Sequence, residues 1–306
     1  MATNEAANKD PIEFLGRPNA ELGDAEICIV PLPFEGTVSY GSGTAAGPAG
    51  IIAASTQVEL WDDELNFDLE SLRYFTAAAI HPQSNEAADS YLNRVEADVR
   101  ELSGNGRLVI GIGGEHSLTP PLVYASAQNS NDLSGLTVVQ IDAHTDLRDT
   151  YEGTPQSHAC AMRRLIERGA RVIAIGIRAM SQPEDEYEKS VGLIDIYRAQ
   201  ALAENPELEQ TLLTQLRDLT GDVYLTVDID GLDPSMCPGT GTPEPGGLGW
   251  WQTLRILRAV LRENRSRKLI GCDLVETVPQ SGTQINEFTA ARLLAKIIAY
   301  AKAPVE

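Results

Sequence analysis

Cysteines, long apolar runs and a secretory signal are scarce or missing in this sequence. The four cysteines, Cys28, Cys160, Cys237 and Cys272, form no Cys-x-x-Cys pair, which argues against a disulfide framework and a zinc knuckle. No run of roughly 18 apolar residues is available to cross a bilayer. The polar N-terminus has neither the basic nor the apolar segment of a secretory signal. These absences predict reduced thiols and a cytoplasmic protein.

Positive charge is also scarce. Lysine and arginine together number 24 against 44 aspartates and glutamates, which gives a net charge of −20 at pH 7. Nucleic acids and anionic membrane surfaces are bound through basic patches, so neither is an expected partner. An acidic surface favours a cationic substrate, although solubility alone is the more general explanation of such a surface.

Two common catalytic motifs are missing as well. The glycine-rich stretches 111–114 and 239–243 lack the G-x-x-x-x-G-K-[ST] pattern of a phosphate-binding loop. No Ser-His-Asp arrangement or nucleophile elbow is present. The sequence therefore argues against nucleotide binding and against a serine hydrolase.

Six short apolar runs predict strands that are covered on both faces. They are 27–31, 108–112, 136–141, 172–177, 223–227 and 269–274. Helical stripes lie between them, at Tyr91/Val95/Val99/Leu102, Leu208/Leu212/Leu216/Leu219 and Leu254/Leu257/Leu261, and a largely apolar helix follows over 286–301. This alternation predicts an α/β fold with a mostly parallel central sheet. Without a linker or a repeat, we expect one domain over residues 1–306, with residues 1–12 as a flexible tail.

Polar motifs follow four of these predicted strands. They are Gly113-Gly114-Glu115-His116-Ser117, Asp142-Ala143-His144-Thr145-Asp146, Asp228-Ile229-Asp230 and Glu276, after the second, third, fifth and sixth runs. Residues two apart in a strand share a face, so Asp-x-His and Asp-x-Asp each direct two side chains the same way. Parallel strands bind ligands at their carboxyl ends, so we expect the four motifs to meet there.

The expected cluster is a set of candidate metal ligands. Its members are His116, Asp142, His144, Asp146, Asp228 and Asp230. Four carboxylates repel one another unless a cation lies between them, and oxygen with imidazole suits Mn²⁺, with Co²⁺, Ni²⁺ and Fe²⁺ as alternatives. Six ligands suit two ions roughly 3.5 Å apart better than one ion. Each motif alone is more often a turn or a capping cluster, but together they predict a binuclear site.

His158 is a further candidate catalytic residue. It lies in Ser157-His158-Ala159-Cys160, just before a helix predicted over 161–168, and is a candidate proton shuttle for the leaving group. The alternative is a histidine at a helix start that is bonded to the backbone. His81, in Ile80-His81-Pro82, is typical of an ordinary turn.

These motifs resemble those of the ureohydrolases, the family of arginases, agmatinases, guanidinobutyrases and formiminoglutamases. The resemblance includes the loops 41–51 and 238–248 and covers nearly the whole chain. It implies a three-layer α/β/α, arginase-like fold with two Mn²⁺ ions per subunit, assembled as a homo-oligomer, a trimer or a hexamer. The implied reaction cleaves a guanidino substrate to urea and an amine, in arginine metabolism and polyamine biosynthesis.

The resemblance also implies a role for each site residue. One ion would be bound by His116, Asp142, Asp146 and Asp228, and the other by His144, Asp230 and the bridging Asp142 and Asp228. Asp146 would help to orient the attacking hydroxide, and His158 would carry a proton to the departing amine. Glu276 would clamp the guanidinium through paired hydrogen bonds.

The segment 147–156 bears on the choice of substrate. It lacks the Asn and Ser-Gly-Asn elements that arginases have there, and its Asp-Leu-Arg-x-x-Tyr-x-Gly pattern resembles that of bacterial agmatinases. Agmatine, cleaved to putrescine and urea, is therefore the favoured substrate. Glu152 or Glu244 would then bind the distal ammonium group.

Arg148 supports an alternative. A cation near the pocket suits 4-guanidinobutyrate or arginine, which end in a carboxylate, unless Arg148 pairs with Asp149 or Glu152. A protein that binds a guanidino metabolite without cleaving it is a third possibility. Such relatives usually lose metal ligands, and all six are present here.

Overall fold

The core of the protein is a sheet of eight parallel strands. The computed structural model describes residues 12–304 of the chain. The strands are β1 (Ile27–Leu32), β2 (Trp61–Asp62), β3 (Phe67–Asp68), β4 (Tyr74–Thr76), β5 (Leu108–Gly113), β6 (Leu136–Ile141), β7 (Arg171–Ile177), β8 (Ile194–Arg198), β9 (Gly221–Asp228) and β10 (Arg267–Val275). The sheet order is β4-β1-β5-β10-β9-β6-β7-β8, and β2 and β3 form a separate antiparallel pair.

Helices connect these strands. They are α1 (Gly47–Ser55), α2 (Ala88–Leu102), α3 (Thr119–Ser126), α4 (Ala161–Ile166), α5 (Gln182–Val191), α6 (Ala199–Glu204), α7 (Pro206–Arg217), α8 (Trp250–Arg258) and α9 (Ile285–Lys302). A π-helical turn, Ala259–Glu263, extends α8. Three short 3-10 turns are relevant below. His116–Leu118 comes after β5, His158–Cys160 comes just before α4, and Ile229–Gly231 comes directly after β9.

Strand β1 shows how the two faces of the sheet are used. All six of its residues are buried. Ile27 and Ile29 pack in one apolar core with α1, α7, α8 and α9, whereas Cys28, Val30 and Leu32 pack in a second core with α2, α3 and α4. Alternate strand residues face opposite sides, so the two cores lie on the two faces. The predicted three-layer α/β/α fold is confirmed.

The six predicted strands are all present, and the sequence pattern missed the two edge strands. These are β4 and β8, the ends of the sheet order. β4 is three residues long, and β8 alternates polar and apolar residues, with half-buried positions along most of its length. Edge strands are often short or polar, so neither shows the continuous apolar run used for prediction.

Most of the helical predictions also agree with the structure. The helix predicted over 286–301 is α9, and the three apolar stripes lie on α2, α7 and α8 with its π-helical extension. All four cysteines are buried and free. Within residues 12–304 no helix is long and apolar enough to cross a membrane. The single domain over 1–306 and the tail over 1–12 stay predictions, since residues 1–11 and 305–306 lie outside the described part.

The four strands followed by polar motifs are neighbours at the centre of the sheet, in the order β5-β10-β9-β6. Their carboxyl ends are in register, because Leu274 pairs with Ile112, Val275 with Asp228, and Val227 with Ile141. Residues that directly follow these ends must therefore lie close together. This edge of a parallel sheet is where ligands bind in such folds.

Candidate metal centre

His116 lies at the centre of one group of candidate ligands. Its Nδ1 atom is 2.9 Å from Asp146 Oδ2, 3.1 Å from Asp142 Oδ2 and 3.4 Å from Asp228 Oδ2. All four side chains are buried. Ligand atoms of His116, Asp142 and Asp228 lie within 4.8 Å of one another, so one cation can contact all three.

His144 belongs to a second, adjoining group. Its Nδ1 atom is 3.1 Å from Asp230 Oδ2 and 3.7 Å from Asp142 Oδ1. Asp142 therefore presents one oxygen to each histidine. A carboxylate shared in this way is the bridging ligand that a two-ion site needs.

Two buried atoms of the first group lack hydrogen-bond partners and are placed to bind a cation. Among the described residues, His116 Nδ1 and Asp146 Oδ2 are buried without a hydrogen-bond partner, although they are 2.9 Å apart. Buried polar atoms normally have partners. Two orphaned lone-pair atoms that converge on one point fit a metal ion between them.

The electrostatics of the cluster support the same conclusion. Burial, and then the charges of Asp230 and Asp142, raise the pKa of Asp228 well above its ordinary value. Burial and Asp142 raise the pKa of Asp146 to about 6. Burial alone would lower the pKa of His144, but hydrogen bonds to Asp142 and Asp230 raise it to about 12. Divalent cations relieve this mutual repulsion.

Backbone amides fix the orientation of the carboxylates. The His144 amide donates to Asp142 Oδ1 (2.6 Å), and the Asp230 amide donates to Asp228 Oδ1 (2.9 Å). The Ala143 amide donates to Asp230 Oδ1 (3.0 Å). Asp146 has a left-handed backbone, with φ of 52°, which is strained for a residue with a side chain and is typical of functional sites. The ligands are therefore pre-oriented by the chain itself.

A buried hydrogen-bond relay lies behind His116. Its Nε2 atom is 2.9 Å from Thr226 Oγ1, which donates to Asp273 Oδ1 at 2.6 Å. Because Thr226 donates its one hydroxyl proton to Asp273, its oxygen must accept a hydrogen bond from Nε2–H of His116. Nδ1 therefore keeps its lone pair, which is free to bind a metal. Sequence reasoning did not single out Asp273. The sequence feature that could have identified it is a charged residue inside an apolar run that is predicted to be buried on both faces.

Glu276 lies beside the cluster with 7% of its surface exposed. Its Oε1 atom accepts a hydrogen bond from the His116 amide at 2.9 Å. Burial, and next the charge of Glu115, raise the pKa of Glu276 well above its usual range. Its backbone is also left-handed, with φ of 64°. A carboxylate held in this way at the edge of the cavity is a natural partner for a cation.

His158 begins a 3-10 turn on the other side of the cavity. Its ring Nδ1 is 3.2 Å from Thr37 Oγ1, and Nε2 is 3.4 Å from Ser39 Oγ. The ring of Tyr151 meets it edge to face at 5.7 Å. Burial lowers the pKa of His158, so the imidazole is neutral at neutral pH and can accept and release a proton.

A cavity of about 380 Å³ opens above these groups. Its carboxylate-bearing lining residues are Asp146, Glu184, Asp228, Asp230 and Glu276. Arg148 is the one lysine or arginine among the described lining residues. Glu152 and Glu244 are not part of the lining, so the structure does not bring them together with the other predicted site residues.

Arg148 is engaged by its neighbours. Its Nε atom is 3.8 Å from Glu184 Oε2, and its guanidinium carbon lies 4.8 Å from the centre of the Tyr151 ring. Its acidic partner is therefore Glu184 rather than the Asp149 or Glu152 considered from the sequence. Glu184 also accepts hydrogen bonds from Thr145 Oγ1 and the Leu147 amide, so it anchors the segment that follows the second metal motif.

A cluster of two histidines and four aspartates at the carboxyl edge of a parallel sheet is typical of binuclear metal-dependent enzymes. Comparison with known proteins narrows this class. The family model described as "Arginase family" matches residues 25–300. The chain therefore belongs to the arginase family and is a ureohydrolase.

Individual relatives agree with the family model. The chain is 37% identical over 295 residues to an N(1)-aminopropylagmatine ureohydrolase of Synechocystis sp., covering 95% of this chain and 94% of that protein. It is 36% identical over 259 residues to an agmatinase of Bacillus anthracis, covering 84% of each. The crystal structure of agmatine ureohydrolase of Thermoplasma volcanium superimposes with a TM-score of 0.79 at 26% identity, covering 92% of both chains.

Proposed function

We propose that the protein hydrolyses a guanidino compound with a cationic tail, with agmatine as the favoured substrate and putrescine and urea as products. The observation that supports this most directly is the position of Arg148, the one lysine or arginine in the described lining of the cavity. That arginine is already paired with Glu184 and stacked on Tyr151. The described lining therefore offers no unpaired cation to a carboxylate tail, which favours a substrate whose tail is positively charged.

We propose Mn²⁺ as the metal, with two ions per subunit. His116, Asp142, Asp146 and Asp228 would hold one ion, and Asp142, His144, Asp228 and Asp230 the other. When bound, such a pair lowers the pKa of water to roughly 7 and supplies a nucleophile at neutral pH. The oxygen-rich donor set with two imidazoles supports Mn²⁺, and Co²⁺, Ni²⁺ and Fe²⁺ suit the same ligands.

The remaining side chains bind the substrate and move protons. Glu276 keeps oxygen lone pairs free beyond the His116 amide bond, and these would accept hydrogen bonds from the guanidinium. Asp146 would orient the attacking water towards the guanidinium carbon. His158, neutral because burial lowers its pKa, would take up a proton and release it to the departing amine nitrogen.

A longer cationic substrate is the second candidate. The relative at 37% identity is named an N(1)-aminopropylagmatine ureohydrolase, and the cavity has an open rim at which Tyr40 is 86% exposed. An additional aminopropyl group could extend over this rim. Arginine and 4-guanidinobutyrate are less suited, because Arg148 would have to leave Glu184 to bind their carboxylate.

Urea release by Mn²⁺-reconstituted protein tests the substrate proposal. Agmatine, N1-aminopropylagmatine, arginine and 4-guanidinobutyrate are compared at equal concentration. We expect kcat/KM to be highest for one of the two amine-tailed compounds. A higher value for a carboxylate-bearing compound would overturn the proposal and identify Arg148 as a specificity residue. The trimeric or hexameric assembly and the cytoplasmic location stay predictions from the sequence.

A further inference from the structure

Glu115 is a fully buried carboxylate without a role in the reaction described so far. It lies between Gly114 and the metal ligand His116 and has 0% of its surface exposed. Its carboxylate accepts four hydrogen bonds: from the Gly36 amide (2.7 Å), from the amide and the hydroxyl of Thr37 (2.6 Å each) and from the Ser117 hydroxyl (2.6 Å). Three of these come from the 36–37 segment, so Glu115 fixes that segment.

The glycine before Glu115 allows this close approach. A Cβ atom at Gly114 would lie 1.9 Å from the carbonyl oxygen of Phe34, which no side chain can tolerate. The Glu115 amide donates to the same oxygen at 3.0 Å. The chain near residue 36 is therefore docked directly on the strand end that also presents His116.

Thr37 connects Glu115 to His158. Its hydroxyl oxygen lies 3.0 Å from the His158 amide nitrogen and 3.2 Å from the ring Nδ1. A hydroxyl has one proton, and Thr37 donates its proton to Glu115 Oε1. Towards His158 the hydroxyl must therefore accept, and the ring nitrogen that faces it must bear the hydrogen.

The other contacts of the ring are compatible with either tautomer. Ser157 Oγ is 3.3 Å from Nδ1, and Ser39 Oγ is 3.4 Å from Nε2. Each of these hydroxyls is free to donate or to accept, so neither selects a tautomer. Thr37, with its proton committed to Glu115, is the contact that does.

We propose that Glu115 and Thr37 are a positioning pair that fixes His158 as the Nδ1–H tautomer and leaves the Nε2 lone pair facing the cavity. The inference rests on the proposed role of His158 as the proton shuttle. Nε2 accepts a proton from the attacking water and then transfers the same proton to the amine nitrogen as its bond to the guanidinium carbon breaks. The imidazole is regenerated in its starting tautomer.

The relay behind His116 uses the same physical principle for the opposite nitrogen. There the hydroxyl of Thr226 donates to Asp273 and accepts from Nε2, which leaves Nδ1 free. At His158 the hydroxyl accepts from Nδ1 and leaves Nε2 free. In both cases a buried carboxylate uses the only proton of a threonine hydroxyl and so determines which imidazole nitrogen is basic.

The test uses the metal-loaded enzyme and the one of the four compounds compared above that it hydrolyses fastest. We expect Thr37→Val to lower kcat by about 10- to 100-fold, by analogy with the loss of an orienting partner of a metal-bound histidine, with KM and bound metal unchanged. Thr37→Ser keeps the hydroxyl and should return kcat to within about threefold of the parent.

Ser117→Ala is the matched control. It removes a hydrogen bond of the same length to the same Glu115 oxygen, 2.6 Å, and Ser117 has no hydrogen bond to His158 among the described contacts. We expect kcat to stay within about twofold of the parent. An effect equal to that of Thr37→Val would mean that Glu115 supports the loop generally, and would overturn the proposal.

A double-mutant cycle separates this proposal from the proposed role of His158. If Thr37 acts through His158, Thr37→Val should cause no further loss in a His158→Asn background. An equal loss in both backgrounds, or an unchanged kcat in Thr37→Val alone, would contradict the positioning pair while leaving His158 as the shuttle. Parental kcat in His158→Asn would refute the shuttle and the positioning pair together, and would leave the ureohydrolase activity itself in place.

Discussion

The floor and the rim of the cavity are built in different ways. The floor consists of candidate ligands and Glu276, and the remaining candidate ligands His116 and Asp142 lie buried against it. All these residues follow the ends of four central strands and are buried, apart from the half-buried His144. The rim consists of Ser39, Tyr40, Arg148, Tyr151 and Thr242, which lie outside helices and sheet strands. The sheet therefore fixes the candidate ligands, and under the proposed function the choice of substrate tail would depend on the loops.

Substitution of Asp142 should have the largest effect, because this residue faces both histidines. We expect Asp142→Asn to lower kcat/KM well beyond the roughly 100-fold typical of residues behind a metal ligand, and to lower the number of bound ions. Metal analysis together with urea release measures both. Retention of two ions with near-parental activity would show that Asp142 is not a shared ligand.

Glu276→Gln tests the substrate-binding part of the floor. Glutamine keeps an oxygen for the His116 amide but lacks the charge that pairs with a guanidinium, a loss of about 2–5 kcal/mol for a buried pair. We expect kcat/KM to fall by about 30-fold or more while bound metal is unchanged. If bound metal falls in parallel with activity, Glu276 supports the metal cluster rather than the substrate.

Arg148→Ala tests the rim. A cation removed from the edge of the cavity should lower the KM for agmatine by about two- to fivefold, because one partly screened charge contributes roughly 1 kcal/mol. Arg148→Lys keeps the charge and should leave that KM near the parental value. Steady-state kinetics with agmatine and 4-guanidinobutyrate give the comparison. A collapse of turnover with 4-guanidinobutyrate alone would identify Arg148 as the site of a carboxylate.

The smallest effects are expected for Glu152 and Glu244, which do not line the cavity. If either binds the distal ammonium, its replacement by glutamine should raise the KM for agmatine by about 1.4- to fivefold, since an exposed ion pair contributes about 0.2–1 kcal/mol. Each variant is measured separately against the parent at fixed ionic strength. An unchanged KM removes that residue from substrate binding.

The floor could be predicted from the sequence because each of its residues is close to a strand end. The motifs around Asp142 and Asp228 follow apolar runs that are recognisable on their own, and parallel strands share one ligand-binding edge. The strand order β5-β10-β9-β6, which brings the motifs side by side, depends on packing across the whole chain and is not visible in any local pattern.

The supporting residues could not be predicted in the same way. Thr37 contacts Glu115 across 78 positions of sequence, and Thr226 contacts His116 across 110 positions. Thr37 lies in a loop and Thr226 in strand β9, and threonine is common in both kinds of segment, so composition does not distinguish these two residues from other threonines. Glu184 is a similar case, since its capping-box position in α5 explains its presence without revealing its contact with Arg148.

A titration of metal-free protein with Mn²⁺ tests the central claim most directly. Bound metal per chain and urea release are measured on the same samples, with the guanidino compound that the enzyme hydrolyses fastest as substrate. The two adjoining ligand groups that share Asp142 predict that activity rises with the second ion and reaches its maximum at two ions per chain. Full activity with one ion per chain, or two bound ions without urea release from any compound tested, would contradict a binuclear ureohydrolase site.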